Sequence, residues 1–367
     1  MGLQKEIDKA RAEIKTDGYS MSIGEWLNLY RDEEIDIHPE FQRFFRWSPL
    51  QKTRFIESIL LGIPIPPIFV AQTKKGVWDV VDGLQRLSTI FQFAGILRDE
   101  NNDLVPPLTL EATKYLPSLE GKRWNDPYST DSSFDQAQRL YIKRAKLDVS
   151  IILRESEEKV KYELFQRINT GGSQLSDQEV RNCVLVMLDR EFYFWLKTLV
   201  SDPNFQECIA LTDKALLEQY DMDLALRFIL FRNIKINKLT QLRDVNEFLS
   251  DTMIELVTSN DFNRDAEDKA FRSTFEKILE ALGTNSFRRY DAGKMKFLGG
   301  FLLSAFETIA LGIGFHDGVS DLSSTALKQK TIEVWSNKTF IQFSGSGVRA
   351  SSRIPKLIPL GREIFRS

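Results

Sequence analysis

The sequence predicts an α+β fold, in which a small mixed-sheet domain is followed by a mostly α-helical domain. Strand-like alternation is confined to the first half of the chain, and helical periodicity dominates from residue 176 to about residue 315. The alternating segments are 34–38, 68–72, 77–81 and 146–153. Because 367 residues exceed what one ordinary core buries, we expect two domains, at 15–185 and 186–367.

Capping signals place the first two helices. Ser22 begins a capping-box pattern that opens a short helix ending near Tyr30. Ser48 followed by Pro49 is a strong helix start, because serine caps the helix and proline suits its first position. Gly62 is the predicted end of this second helix.

A hairpin and a strand-to-helix corner follow. Prolines between residues 64 and 67 forbid a helix and lead into the strand at 68–72. The turn at 74–76 then joins this strand to the strand at 77–81. That second strand stops at Asp82-Gly83, and a helix is predicted over 84–97.

The remaining elements are predicted more coarsely. Residues 98–140 are rich in Asp, Asn, Pro and Ser, so we expect loops and short elements there. Ser156 caps a helix that runs to Ile168, and the turn at 169–172 ends it. Ser176 opens a second capping box at the start of the helical region.

Bulk composition excludes several classes of protein. The net charge of −3 excludes a uniformly basic coat for nucleic acid, although local basic patches are compatible with it. The two cysteines, Cys183 and Cys208, are too few for a disulfide framework or a cysteine-rich zinc site, so we expect buried free thiols. The charged N-terminus lacks a signal-peptide core, and the apolar run at 297–315 contains Glu307 and several glycines. We therefore expect a cytoplasmic protein with a packed helix at 297–315.

The corner at Asp82-Gly83-Leu84-Gln85-Arg86 has the composition of a phosphate site. Unpaired N–H groups and the helix dipole favour an anion at a helix start, and glycine permits close backbone approach. Arg86 suits a bidentate contact to phosphate, Asp82 suits Mg²⁺, and Gln85 suits the orientation of a water. The alternative is a structural corner, with Asp82 as a cap and Arg86 in a salt bridge.

Two further segments carry the same ambiguity. Arg43 and Arg46 alternate with four aromatic residues up to Trp47, a pattern that suits phosphate binding and base stacking. The alternative is a set of core aromatics with solvated arginines. Asn169, beside Gly171-Gly172, either caps a helix or contacts the edge of a ligand.

Together these segments resemble the N-terminal domain of the GmrSD restriction endonuclease family. The resemblance covers roughly residues 20–185. Its matching residues are Phe41-Gln42-Arg43, Trp47, Glu57, Asp82 to Thr89, Phe165 to Gly172, Leu175-Ser176 and Glu179. The family is similar to ParB and sulfiredoxin folds, its loop is associated with nucleoside triphosphate binding and hydrolysis, and its members act in bacterial defence against modified or foreign DNA.

The resemblance implies a set of roles for residues of this chain. Asp82, Gln85 and Arg86 are the expected catalytic residues, and Asp82 is the expected Mg²⁺ ligand. The expected nucleotide-binding residues are Arg43, Arg46, Gly83, Ser88, Asn169 and Gly172. The base of the nucleotide is left open among GTP, CTP and ATP. Leu84 replaces the first glutamine of the usual Asp-Gly-Gln-Gln-Arg motif, which affects the expected rate of hydrolysis more than binding.

The second half of the chain predicts contact with nucleic acid more weakly. Basic residues cluster at 288–296 and in the glycine-rich segment 345–356, both of which suit phosphate contacts or an ordinary surface. The candidate residues are Arg288, Arg289, Lys294, Arg349, Arg353 and Lys356. A histidine-based nuclease is not expected, because His38 and His316 are the only histidines and are far apart in sequence.

These observations leave three functional hypotheses. The leading one is an NTP-hydrolysing component of an anti-phage or restriction-type defence system that acts on or senses DNA. The second is a non-catalytic module that binds DNA or a partner and regulates a separately encoded nuclease. The third is direct nuclease action by the N-terminal domain. A homo-oligomer is compatible with each of them.

Overall fold

The structure is a computed structural model that describes residues 2–5, 7, 15–37, 47–99, 101–154, 176–259, 261–318 and 322–366. The chain divides into two compact units, Met1–Leu175 and Ser176–Ser367. The first contains a mixed sheet and the second is mostly helical, so the predicted α+β fold class is confirmed. The helix predicted at 156–168 and its terminating turn lie outside the described residues.

The sheet of the first unit mixes parallel and antiparallel pairs. Its strands are β1 (Thr16–Ser22), β2 (Ile35–Asp36), β3 (Ile68–Gln72), β4 (Trp78–Asp82) and β5 (Lys146–Ile152). Across the described residues their order is β1-β5-β3-β4-β2. β1 is antiparallel to β5, β5 is parallel to β3, β3 is antiparallel to β4, and β4 is parallel to β2.

Strand β1 has no counterpart among the predicted strands. Met21 is its one buried residue, so the strand shows no alternation of buried and exposed side chains. It forms because it pairs with β5 along its whole length, from Thr16 opposite Ile152 to Ser22 opposite Lys146. Long-range pairing therefore determines this edge strand, and local pattern does not.

Four described helices of the first unit follow local signals in the sequence. They are α1 (Ile23–Arg31), α2 (Pro49–Leu61), α3 (Leu84–Phe93) and α4 (Gln136–Arg144). The Ser22 hydroxyl accepts from the Glu25 N–H at 3.2 Å, and Ser48 forms the capping box of α2. Gly62 ends α2 in the left-handed conformation, with φ of 68°. Helix α3 is shorter than the predicted 84–97 and ends at Phe93.

The core of the first unit lies between the sheet and these helices. Ile68 and Val70 of β3 are fully buried, as is Trp26 of α1. The Trp26 ring contacts the Trp78 ring of β4 edge-on, with centroids 6.3 Å apart. The sheet, α1 and α3 therefore form one packed body that positions the end of β4.

The second unit is a helical domain with one described two-stranded hairpin. The hairpin strands are β6 (Arg289–Asp291) and β7 (Lys296–Leu298). The helices are α5 (Asp177–Leu188), α6 (Arg190–Val200), α7 (Pro203–Ile209), α8 (Asp213–Leu217), α9 (Tyr220–Phe231), α10 (Ile236–Leu239), α11 (Val245–Thr258), α12 (Arg264–Leu282), α13 (Leu303–Phe315), α14 (Ser324–Val334), α15 (Lys338–Phe343) and α16 (Ala350–Ile364). Sequence periodicity did not predict the hairpin within this helical region.

The observed division lies ten residues before the predicted boundary at 185. Residue 185 falls inside α5, which belongs wholly to the second unit. Arg181 of this helix is buried and bonds Asp223 of α9 at 2.7 Å. Helix α5 is thus part of the helical core, and the capping box at Ser176 marks the start of the second unit.

The core of the helical unit contains a cluster of buried phenylalanines, and two of its helices approach closely at a glycine. The Phe271 ring lies 5.0 Å from that of Phe205 and 4.6 Å from that of Phe275. Helix α13 packs tightly on α16, because a Cβ at Gly361 would lie 2.1 Å from the Thr308 carbonyl oxygen. No helix of the described ranges is both long and apolar enough to cross a membrane. The apolar run is packed as expected, but its helix α13 begins at Leu303 and not at the predicted residue 297, because Lys296–Leu298 pair in the hairpin.

Both cysteines are buried and free, as the sequence predicts. Burial raises the pKa of the Cys208 thiol to about 12, so the thiol stays protonated near neutral pH. The pKa of Cys183 is also raised by its burial. A buried, protonated thiol is a poor nucleophile and a poor metal ligand, which makes both residues part of the packing.

Candidate functional site

The corner between β4 and α3 has the predicted strand-to-helix geometry. Asp82 is the last residue of β4, and Gly83 caps α3 with a φ of 99°. No side chain of the described residues caps the helix at this end. The start of α3 therefore presents the positive end of its dipole beside a carboxylate that is 35% exposed.

The Arg86 guanidinium is directed into the protein. Its Nη2 donates to Asp82 Oδ2 at 2.8 Å, and its Nη1 donates to the carbonyl oxygens of Pro66 and, at 3.2 Å, Pro67. The side chain is only 11% exposed. Burial lowers the pKa of Arg86 and the nearby Asp82 opposes that shift, so the side chain remains a cation at neutral pH. This is the salt bridge of the structural alternative, without the Asp82 cap that the alternative also included.

Gly83 is required by space as well as by its backbone conformation. A Cβ built on Gly83 would lie 2.4 Å from Ile68 Cδ1 and 3.2 Å from Arg86 Nη2. The side of Gly83 that a side chain would occupy is therefore filled by protein. Any ligand of this corner approaches from the side of Asp82 and the first turn of α3.

Gln85 connects the corner to the aromatic and arginine segment. Its Oε1 accepts from the Trp47 backbone N–H at 3.1 Å. The Trp47 ring in turn contacts the Phe55 ring of α2, with centroids 5.5 Å apart. Two of the segments selected in the sequence, the corner and the aromatic and arginine segment, therefore meet at this contact. Arg43 and Arg46 of the second segment lie outside the described residues.

Ser88 contributes a buried hydroxyl one turn into α3. The residue is 8% exposed, and its Oγ has no hydrogen-bond partner among the described residues. The neighbouring hydroxyl of Thr89 donates to the Gln85 carbonyl oxygen at 2.6 Å. Since buried polar groups are almost always satisfied, the Ser88 hydroxyl is available for a further contact.

The remaining predicted residues of the first unit do not all meet the corner. Glu57 is buried on α2 and accepts a hydrogen bond from the Thr113 hydroxyl, so it anchors the loop after α3. Asn169 and Gly172 lie outside the described residues. The described site therefore comprises Asp82 to Ser88 and the contact with Trp47.

An open groove of about 690 Å³ lies next to the segment that holds Arg86. Its walls include residues 63–65, Tyr141 and Arg144. The carbonyl groups of residues 66 and 67, immediately downstream, are the ones that accept from Arg86. The groove and the corner thus share one short segment of chain, which sequence patterning did not indicate.

The predicted basic residues of the second unit occupy different settings. Arg289 and Lys294 are exposed on the β6–β7 hairpin, and Arg349 and Lys356 are exposed at or within α16. Arg288 precedes the hairpin and is half-buried.

Arg353 differs from these exposed cations. Its Nε and Nη2 donate to the fully buried Glu307 at 2.7 and 3.1 Å. Glu307 also faces Arg227 at 3.4 Å. The donors of Arg353 therefore serve an internal carboxylate. Sequence reasoning missed this contact, because nothing local links α13 to α16.

The described residues contain no cluster of three or more His, Cys, Asp or Glu side chains that would hold a metal ion. A protein cage for zinc or calcium is therefore not part of the described chain. A single carboxylate such as Asp82 is nevertheless compatible with Mg²⁺, because this ion commonly takes one or two carboxylates together with phosphate oxygens and waters.

Residues 23–186 match the family model of the GmrSD restriction endonuclease, N-terminal domain. This segment is therefore similar to that domain family. The match confirms the resemblance predicted from Asp82 to Arg86 and the flanking segments, and associates the GmrSD domain with restriction and phage-defence systems. It ends within α5, the first helix of the second unit, and covers less than half of the chain. No curated protein and no solved structure matches the chain.

Proposed function

We propose that the GmrSD domain binds a magnesium-bound nucleoside triphosphate at the Asp82–Arg86 corner and hydrolyses it, within a defence system that acts on or senses DNA. The observation that carries the proposal is the end of β4, where a partly exposed carboxylate lies beside the start of α3, which has no side-chain cap. A helix start and a neighbouring carboxylate suit the two parts of such a ligand, the phosphates and the metal ion.

Asp82 fits the role of a magnesium ligand. Its Oδ2 is held by Arg86, while no described residue bonds its Oδ1. The carboxylate is therefore fixed in orientation and still accessible. Mg²⁺ held there would neutralise charge on the phosphate oxygens, and the protein contributes the fixed carboxylate and the helix start.

Arg86 acts as a positioning residue in this proposal. Its bonds to the carbonyl groups of Pro66 and Pro67 tie the start of β3 to the corner, and its bond to Asp82 orients the carboxylate. An arginine with these partners is not directed at a phosphate. Charge on the phosphates would then be neutralised by Mg²⁺ held at Asp82, by the start of α3 and by Arg43, whose position lies outside the described residues.

The test separates binding from turnover. Nucleotide binding is measured by calorimetry with GTP, CTP and ATP in the presence of Mg²⁺, and phosphate release is measured with and without DNA. We expect Asp82→Ala to abolish Mg²⁺-dependent binding and turnover. The matched control is Asp103→Ala, an exposed carboxylate of the same domain, which should behave as wild type. No nucleotide binding by the wild-type protein would reject the proposal.

A second candidate is nucleotide or DNA binding without turnover, in a protein that regulates a separately encoded nuclease. Leu84 favours it, because this residue is buried in the core where the usual motif has a glutamine. A buried leucine neither orients water nor contacts a base. Tight nucleotide binding with no phosphate release, together with co-purification of a nuclease encoded beside this protein, would select this candidate over the first.

A further inference from the structure

The β6–β7 hairpin projects from a firmly anchored base. Phe287, just before the hairpin, is 1% exposed, and its carbonyl oxygen accepts from the Leu302 N–H at 3.0 Å. Within the hairpin, the Tyr290 and Phe297 rings form an edge-on pair with centroids 5.1 Å apart. The two strands are thus held together by a cross-strand aromatic pair and fixed to the helical unit at their base.

The hairpin is strongly cationic. Residues 288–298 contain four cationic side chains and one carboxylate, that of Asp291. Asp291 is occupied within the loop, because its Oδ1 accepts from the Lys294 backbone N–H at 2.9 Å. Arg289, Lys294 and Lys296 are exposed, and no carboxylate of the described residues forms an ion pair with them. This surface is therefore a compact positive patch in a chain of net negative charge.

The tip of the hairpin presents one large apolar side chain. Met295 is 80% exposed and has a φ of 49°, a conformation that is uncommon for a residue with a side chain. Of the other loop positions, Ala292 and Gly293 are small and Lys294 is an exposed cation, so Met295 is the only large apolar side chain at the tip. Residues held in such conformations are concentrated at functional sites, where the surrounding structure maintains them.

We propose that this hairpin inserts its tip into the minor groove of duplex DNA. Arg289, Lys294 and Lys296 contact the phosphates on either side of the groove, and Met295 enters as an apolar wedge between neighbouring bases. Proteins that bind the minor groove commonly combine cations with such an apolar wedge, which unstacks a base step and bends the duplex. The inference rests on the DNA contact of the proposed function and adds the element, the groove and the residue that makes it.

The test measures DNA binding by the full-length chain. Fluorescence anisotropy with a short A/T-rich duplex is recorded over a range of salt concentrations. Lys294→Gln and Lys296→Gln should each weaken binding and lower the slope of log affinity against log salt by about one, the loss of one phosphate contact. Met295→Ala should weaken binding about tenfold with an unchanged slope, because it removes apolar contact and no charge. A duplex labelled at both ends should also be bent less by Met295→Ala than by the wild type, as measured by fluorescence energy transfer between the two labels.

Two matched controls lie elsewhere in the same unit. Lys328→Gln removes an exposed lysine from α14, and Leu217→Ala removes a 74% exposed apolar side chain at the end of α8. Both should bind DNA as the wild type does. Circular dichroism melts of every variant verify that the fold is intact.

The outcomes separate the hairpin from the proposed function. Wild-type binding with unaffected hairpin variants overturns the hairpin inference and leaves the proposed DNA contact standing. Absence of duplex binding by the wild type overturns both the hairpin inference and the proposed DNA contact. Nucleotide binding at Asp82 is measured separately on the same preparation, so that part of the proposed function is tested independently. Loss in the hairpin variants of binding to anionic lipid vesicles or single-stranded RNA, with duplex binding unchanged, also overturns the hairpin inference.

Discussion

Gly83 illustrates how a single residue carries two constraints at once. Its φ of 99° strains any other residue, and its Cβ position is occupied by Ile68. Gly76, on the β3–β4 turn, has a similar φ of 89° but no atom within 4 Å of a built Cβ. Comparing the two positions therefore separates the cost of backbone strain, which both share, from the cost of a steric clash with Ile68, which only Gly83 has.

We expect Gly83→Ala to destabilise the protein clearly more than Gly76→Ala. The backbone strain common to both costs about 1–3 kcal/mol, and the contact with Ile68 adds an overpacking cost of about 1–3 kcal/mol at Gly83 alone. Urea denaturation of both variants measures the difference. Equal losses would show that the space beside Gly83 is not limiting.

Ser88 allows ligand binding to be distinguished from stability. Because its buried hydroxyl has no partner among the described residues, Ser88→Ala should leave the free energy of unfolding unchanged or slightly higher. The same variant should weaken nucleotide binding if the hydroxyl contacts the ligand. Thr89→Val is the contrasting variant, since the Thr89 hydroxyl is bonded to Gln85. Unaltered nucleotide affinity in Ser88→Ala would remove this residue from the site.

Among helices, the close contact between α13 and α16 requires a glycine in each of them, Gly312 in the apolar run and Gly361 in α16. A Cβ on Gly361 would lie 2.1 Å from the Thr308 carbonyl oxygen, whereas a Cβ on Gly300 would contact nothing within 4 Å. We expect Gly361→Ala to cost about 1–3 kcal/mol through overpacking, and Gly300→Ala to cost much less. Thermal denaturation of the two variants tests this. The sequence showed the glycines, but their reason lies in the approach of a distant helix.

The buried charges of α5 and α9 make stability depend on pH. Burial disfavours the charge of Asp223, but Arg227 and Arg181 outweigh that effect and hold the pKa of Asp223 below its usual value of 3.8. An acid whose pKa is lower in the folded state stabilises the fold above its unfolded pKa. That contribution is lost as the pH falls below 3.8 and through the folded pKa.

We therefore expect the free energy of unfolding to fall as the pH drops below 3.8. Asp223→Asn should be less stable at neutral pH, because it removes the carboxylate that Arg181 and Arg227 share, and should lack this acid-induced component. Urea unfolding at a series of pH values, for wild type and variant, provides the measurement. An identical acid slope in both proteins would assign the loss to other carboxylates.

For the molecule as a whole, the division after residue 175 has a direct consequence for stability. A fragment of residues 176–367 retains α5, whose Arg181 bonds Asp223, whereas a fragment of residues 186–367 loses that partner. We expect the longer fragment to unfold cooperatively, and the shorter one to be clearly less stable. Circular dichroism melts of the two fragments decide between them. Equal stability of the two fragments would contradict the division after residue 175 and support the predicted boundary at residue 185.

Much of the fold and part of the candidate site could be predicted from local patterns. Ser22, Ser48 and Gly62 act within one turn of their own helices, so their roles are visible in the sequence. The Asp82-Gly83 corner is similar, because the end of a strand and the start of a helix are both local signals. The pairing of β1 and the hairpin at 289–298 were missed, since neither has the alternation that predicts a strand.

Short-range chemistry in the sequence was enough to identify the corner, its resemblance to the GmrSD N-terminal domain and the residues to substitute. The same local patterns could not predict the partners of the long arginine side chains. The Arg86 guanidinium reaches the carbonyl groups of Pro66 and Pro67, and Arg353 of α16 reaches Glu307 of the neighbouring α13. Such partners depend on which remote segments the packed core brings together, and a buried cation takes the nearest acceptors because leaving it unpaired is costly.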